Sequence, residues 1–150
     1  MDTYEIHVSK TIKADAELIY RVLSDYRNEH PRILPKPYFA ATKVEQGGVG
    51  AGTIVRVQMN VMGMVSHLRL FVTEPVPGRE IHEEDPAAGI KTIFTVEPDP
   101  DHGYSHVSIR TIPPSGKMHE QIAAHLYMTR TASLSIVISI GVCPITSPSP

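Results

Sequence analysis

The chain has 150 residues, a formal net charge of −2 at pH 7 and a single cysteine. This length fits one domain with a core of its own, and the lone Cys143 rules out an internal disulfide. Because basic residues are scattered among acidic ones, we expect no nucleic acid as a partner.

The first predicted elements are a strand and an amphipathic helix. Residues 4–12 alternate apolar and polar side chains, which is the period of a strand with one buried face. Asp15 is placed to cap a helix that runs for about three turns to Tyr26. Three prolines within residues 31–37 prevent this helix from continuing, so we expect a short second helix and a stiff connector.

Six more alternating segments follow, and turn residues separate them. In residues 53–62, for example, Val57 lies on one side of the predicted strand and Arg56 on the other. Glycine and proline mark the turns, which fall at residues 47–52, 63, 75–78, 85–89 and 98–103. The strands then share one apolar face, which a helix over residues 115–130, capped by Ser115, is expected to cover.

Several short stretches stand out along this order of elements. They are Leu23-Ser24-Asp25-Tyr26, His30-Pro31-Arg32-Ile33-Leu34-Pro35, and residues 47–53, 73–79 and 92–98. The order of the predicted elements and these stretches together resemble the SRPBCC superfamily. This superfamily comprises the START-like, polyketide cyclase/dehydrase-type and Bet v 1-like helix-grip proteins. The resemblance implies an α+β helix-grip fold. In this fold a seven-stranded curved antiparallel sheet wraps a long C-terminal helix, with two short helices between strands 1 and 2 and a mostly apolar pocket inside.

The end of the chain departs from the family pattern. Residues 131–140 carry no charge and many of them are β-branched, whereas the closing helix of the family is amphipathic and charged. Residues 134–142 have three open fates, since they could continue the helix, pair as a further strand or remain unordered. We expect one ligand-binding domain over residues 1–142 and a disordered, proline- and serine-rich tail over residues 143–150.

The predicted function is the binding of a hydrophobic or amphipathic small molecule, as a carrier or sensor, in a cavity between sheet and C-terminal helix. No cofactor is expected. Methionines among the predicted pocket residues suit a pocket that adapts to its ligand, because their side chains are unbranched and polarisable. The residues expected to line the cavity are Val57, Met59, Val61, Leu68, Leu70, Ile81, Glu83, Thr92, Phe94, Val107, Ile109, Met118, Ile122 and His125.

Whether the chain is also an enzyme stays open. The alternative is a cyclase, dehydratase or hydrolase acting on a polyketide-like or other apolar substrate in the same cavity, which resembles what some family members do. It needs an acid/base pair, for which Glu83 and His125 are the candidates. Plainer explanations are that Glu83 reaches solvent at a strand end and that His125 is a hydrogen-bonded core residue.

The remaining expectations concern metals, membranes and partners. The histidines lack the spacing of a zinc protease and the chain has no cysteine cluster, so no metal is expected. The longest apolar run, residues 134–145, falls short of the roughly 20 residues that a membrane span needs. The first residues lack the features of a signal peptide, and we expect a cytoplasmic protein. A homodimer and a protein partner in the groove stay open as alternatives.

Overall fold

A computed structural model describes residues 5–34, 39–61, 63–101 and 103–112 of the chain. Two short helical segments and seven strands make up these ranges. They are β1 (Ile6–Ile12), α1 (Ala16–Ser24), a 3₁₀ helix (His30–Ile33), β2 (Phe39–Gln46), β3 (Ile54–Val61), β4 (Met64–Val76), β5 (Glu80–Asp85), β6 (Ile90–Pro98) and β7 (Ser105–Ile112). The predicted closing helix, residues 115–130, and the predicted tail, residues 143–150, lie outside the described residues.

The strands form one antiparallel sheet in the order β1-β7-β6-β5-β4-β3-β2. From β2 onward each strand pairs with the next one along the chain, and β1 pairs with β7, where Ile6 lies opposite Thr111. This arrangement confirms the predicted seven-stranded antiparallel sheet, with both helical segments between β1 and β2.

The alternation of apolar and polar residues decides which face of the sheet is buried. On β3, Val57 is 5% exposed, whereas its neighbour Arg56 is exposed on the opposite face. The predicted core residues lie on the same buried face, where Leu68 is half-buried and the others are buried, namely Leu70, Phe94, Val96, Val107 and Ile109. Burial of these side chains supplies most of the driving force for closing the sheet.

The helix α1 packs against β6 and ends earlier than the sequence predicts. Asp25 leaves the helical conformation at φ −87° and ψ 86°. Its side-chain Oδ1 accepts hydrogen bonds from the backbone N–H groups of Arg27 (3.2 Å) and Asn28 (3.1 Å), a local turn that competes with the helix. Tyr26 therefore lies beyond the helix, and it is 3% exposed.

Thr53 anchors the glycine-rich loop between β2 and β3. Its hydroxyl accepts a 3.0 Å hydrogen bond from the N–H of Gly48, and the residue is 1% exposed. We expect Thr53→Val to lower the free energy of unfolding by about 1–3 kcal/mol, because the N–H loses its buried partner. Urea denaturation measures the loss. The matched control Thr73→Val, at an exposed position of β4, should change stability by less than about 0.5 kcal/mol. Equal effects would contradict the anchoring role.

Candidate ligand-binding site

A cavity lies between the buried face of the sheet and the connection from α1 to β2. The space among its lining residues totals about 540 Å³ when the part open to solvent is counted, but only about 20 Å³ of it admits the centre of a water molecule. Small-molecule sites usually measure about 300–1,000 Å³, so a ligand requires the lining side chains to move. The described lining residues are Tyr26, His30, Pro31, Leu34, Phe39, Thr42, Val55, Val57, Met59, Leu68, Leu70, Glu83, Ile90 and Thr92.

The apolar wall of the cavity follows from the register of β3 and β4. Val55 lies opposite Leu70, and Val57 lies opposite Leu68. Side chains that are opposite each other on antiparallel strands stand side by side on the same face. The two pairs therefore form a continuous apolar surface, which Met59 extends along β3.

Glu83 forms the polar end of the cavity. It is 2% exposed, which excludes the solvent-facing alternative. The phenol of Tyr26 donates a 2.7 Å hydrogen bond to Glu83 Oε1, and Nε2 of His30 lies 3.4 Å from the same oxygen. A buried carboxylate is costly unless it is paired and hydrogen-bonded, and these two neighbours offset that cost. We call Tyr26, His30 and Glu83 the polar cluster.

The imidazole of His30 is held in one orientation. Its Nδ1 lies 2.7 Å from the carbonyl oxygen of Leu23, and a carbonyl can only accept, so Nδ1 carries a hydrogen. The ring stacks on Tyr26 at 4.4 Å between centroids and meets Phe94 edge-on at 5.7 Å. The other ring nitrogen, Nε2, faces Glu83 Oε1, so two titratable side chains lie in contact inside the core.

The structure places the predicted ligand-binding residues in three groups. One group lines the cavity and consists of Val57, Met59, Leu68, Leu70, Glu83 and Thr92. A second group is buried in the same core and consists of Ile81, Phe94, Val107 and Ile109. Val61 belongs to β3, but its side chain is not described, and three further residues lie outside the described residues, namely Met118, Ile122 and His125. The Glu83–His125 pair therefore stays a prediction.

Sequence reasoning missed the contribution of the connection between α1 and β2. Tyr26 and His30 belong to two of the stretches that carry the family resemblance, but neither was predicted as a site residue, and His30 has no periodic signal. Val55 shares the alternation of Val57, so the same pattern could have included it. The connector supplies Tyr26, which donates a hydrogen bond to Glu83, and His30, which lies beside the same oxygen, and no local pattern indicates that they meet.

A second carboxylate contact, at half-buried Glu74, fixes α1 to the sheet. The phenol of Tyr20 donates a 2.5 Å hydrogen bond to Glu74 Oε1, and Glu74 Oε2 accepts one of 2.8 Å from the N–H of Ala51. Burial, and then this hydrogen bond to the carboxylate, raises the pKa of Tyr20 well above its ordinary value. The contact holds the helix, β4 and the glycine-rich loop together, and it positions the connection that carries the polar cluster.

The described ranges hold neither a cluster of potential metal ligands nor a membrane-spanning helix. No group of three histidine, cysteine, aspartate or glutamate side chains within them is arranged to hold a metal ion. None of the helices in the same part of the chain has the length and hydrophobicity of a membrane span.

Comparison with known proteins gives matches among solved structures. No family model matches the sequence, and no curated protein matches it. The solution structure of KanY protein is 22% identical, with a TM-score of 0.81 over 93% of this chain and 98% of that chain.

Two further structures extend the likeness. A START superfamily protein from Mycobacterium smegmatis is 11% identical, with a TM-score of 0.67 over 91% of this chain and 96% of that chain. Ara h 8.0201 is 13% identical, with a TM-score of 0.60 over 91% of this chain and 98% of that chain. Likeness at these identities is a likeness of fold. The chain therefore shares the fold of these three structures, which agrees with the fold that the resemblance in its sequence predicts.

Proposed function

We propose that the chain binds a hydrophobic or amphipathic small molecule in this cavity, as a carrier or sensor. The observation that carries the proposal is the described part of the lining, in which apolar side chains of β2, β3 and β4 surround the buried carboxyl group of Glu83. An apolar ligand in such a site gains about 25 cal/mol for each Å² of apolar surface removed from water. A small number of polar groups in an otherwise apolar cavity is the usual arrangement for orienting a ligand.

Because the cavity is narrow, a ligand can enter only if some of the lining side chains change conformation. Met59, which is 7% exposed, lies in the lining, and its unbranched side chain can change rotamer at little cost. Leu68 is half-buried and packs at the margin of the core, where a shift disturbs few neighbours. We infer that ligand entry enlarges the cavity by moving these two side chains.

The proposal predicts that a neutral apolar dye, Nile red, binds the folded protein and that a charge in the lining prevents it. Leu70→Lys should weaken binding at least about tenfold, because an unpaired charge in an apolar cavity costs several kcal/mol. Gln58→Lys is the matched control, since Gln58 lies on β3 with the opposite parity to the lining residues Val57 and Met59. Fluorescence titration measures affinity, and thermal melting verifies folding. A folded Leu70→Lys variant that binds the dye as the wild type does would place the ligand elsewhere.

A second candidate function is an enzyme of the cyclase, dehydratase or hydrolase type, acting on a polyketide-like or other apolar substrate. The observation that favours it is the buried contact of Glu83 with His30 at the end of the cavity, a pair able to exchange a proton. Incubation with a short poly-β-ketone thioester distinguishes the two functions. A carrier returns the compound unchanged, whereas a dehydrating cyclase yields a product lighter by one water molecule, and Glu83→Gln abolishes that product.

A further inference from the structure

We infer a second site on the outer face of the sheet, where the hydroxyl of Thr11 takes an acyl group from an activated ester and passes it to water. This site is separate from the proposed ligand cavity, because Thr11 and His106 both lie on the exposed face of β1 and β7. The two residues are directly opposite each other in the register of these strands, and Oγ1 of Thr11 lies 2.9 Å from Nδ1 of the imidazole. A hydroxyl within hydrogen-bond reach of an imidazole is the usual arrangement of a nucleophile and its base.

Asp99 positions the ring of His106. Its Oδ2 lies 2.5 Å from Nε2 of His106, and its Oδ1 accepts a 2.8 Å hydrogen bond from the backbone N–H of Asp101. A neutral imidazole has one donor nitrogen and one acceptor nitrogen, and a carboxylate only accepts. Nε2 is therefore the donor to Asp99, and the lone pair of Nδ1 accepts the hydroxyl hydrogen of Thr11. A nucleophile, a base and a carboxylate that orients the base thus lie in sequence, as in a hydrolytic triad.

A groove of about 470 Å³ gives a substrate access to this array, since Thr11 and His106 both line it. Lys10 lines the same groove, and an ammonium group stabilises the negative charge that develops on a carbonyl oxygen under attack. The side chain of His106 is 52% exposed, so water screens the charges around the reacting atoms. An aryl ester or a thioester, whose leaving group departs readily, therefore suits this site better than an amide.

The reaction exchanges one bond in each of two halves. Oγ1 of Thr11 attacks the carbonyl carbon, and Nδ1 of His106 takes its proton. The bond from the carbonyl carbon to the leaving oxygen or sulfur then breaks, the leaving group receives that proton, and the acyl group stays on Oγ1. Water attacks this ester in the second half, and its proton passes through Nδ1 to Oγ1 as the carboxylic acid departs.

Hydrolysis of p-nitrophenyl acetate by the full chain tests the inference. We expect the wild type to release p-nitrophenolate at least about tenfold faster than Thr11→Val or His106→Gln, because a positioned base contributes about 10²–10⁴-fold. Thr11→Ser keeps the hydroxyl and should retain the reaction. Peptide mapping of an acid-quenched sample should find the acetyl group on Thr11. Asp99→Asn should lower kcat and leave KM unchanged, since Asp99 positions the base without touching the ester.

Thr73 offers a matched control on another pair of strands. It is exposed on β4 and lies opposite His82, whose Nε2 contacts the carboxylate of Glu80. No hydrogen bond within the described ranges joins Thr73 to that imidazole, so the hydroxyl has no base. Thr73→Val should therefore leave the rate of release unchanged.

Several results would overturn the inference. One is a folded Thr11→Val variant that releases p-nitrophenolate as fast as the wild type does. Others are an acetyl group found only on Lys10 or His106, and a Thr73→Val variant that loses as much activity as Thr11→Val. An Asp99→Asn variant with a raised KM and an unchanged kcat would remove Asp99 from the positioning role. Thermal melting of each variant verifies that it is folded.

Discussion

Replacing Phe94 by alanine should lower the free energy of unfolding by about 3–5 kcal/mol, the usual cost of truncating a buried aromatic residue. Phe94 is 1% exposed on β6, and the ring of His30 meets it edge-on at 5.7 Å. Its removal leaves a void beside the polar cluster, where the imidazole of His30 would lose its edge-on contact with the ring. Urea denaturation measures the change in the free energy of unfolding, and thermal melting measures the accompanying fall in melting temperature.

Phe71 offers a matched control for this substitution. It is 38% exposed on β4, where the guanidinium of Arg69 lies 5.1 Å from the centre of its ring. Phe71→Ala removes the same atoms from a surface position and should cost less than about 1 kcal/mol. A Phe94→Ala variant no less stable than Phe71→Ala would show that the ring of Phe94 is not part of the core.

Replacing His30 by alanine should lower the free energy of unfolding by about 3–5 kcal/mol, because it removes one partner of a buried pair and leaves the carboxyl group of Glu83 with less support. Both side chains are almost fully enclosed, at 5% and 3% exposed, so water cannot replace the lost partner. The reason for the loss is the stranded carboxylate more than the missing imidazole. Adding Glu83→Gln to His30→Ala should therefore recover part of the lost stability, although it changes a second buried residue.

A double-mutant cycle separates these contributions. Urea denaturation of the wild type, the two single variants and the double variant gives the coupling energy of His30 and Glu83, which we expect to exceed about 1 kcal/mol. A double variant as unstable as the sum of the two single losses would show that His30 and Glu83 do not stabilise each other.

The sheet could be predicted because the alternation of apolar and polar residues is visible within each strand separately. Whether a residue such as Val57 is buried depends on the parity of its position within one strand, and the turn residues that separate the strands are equally visible in the sequence. Strand ends were less predictable. Residues 75–78 were predicted as a turn, but β4 continues through Val76, since Pro75 falls where the register with β5 shifts and no ladder hydrogen bond is needed from it.

The candidate site was predictable in part. Glu83 shares the parity of Ile81, so its direction could be read from the strand, and the lining of β3 and β4 follows from the same rule. The partners of Glu83 could not be found in this way. They lie in the connector after α1, where Asp25 ends the helix and Pro31 begins the 3₁₀ helix, and their meeting with β5 depends on tertiary packing. No periodic pattern encodes such a contact between distant segments.

The pairing of β1 with β7 sets the order in which this protein can assemble on the ribosome. The hairpins from β2 to β7 join neighbouring strands, so they can form as each strand emerges, but Ile6 must wait for Thr111. At usual rates of synthesis the wait is about 5–20 s. Throughout it β1 is an unpaired strand with apolar Val8 and Ile12 on one side, interrupted by Lys10. A chaperone that recognises extended apolar segments can therefore bind β1 of the nascent chain before β1 pairs with β7.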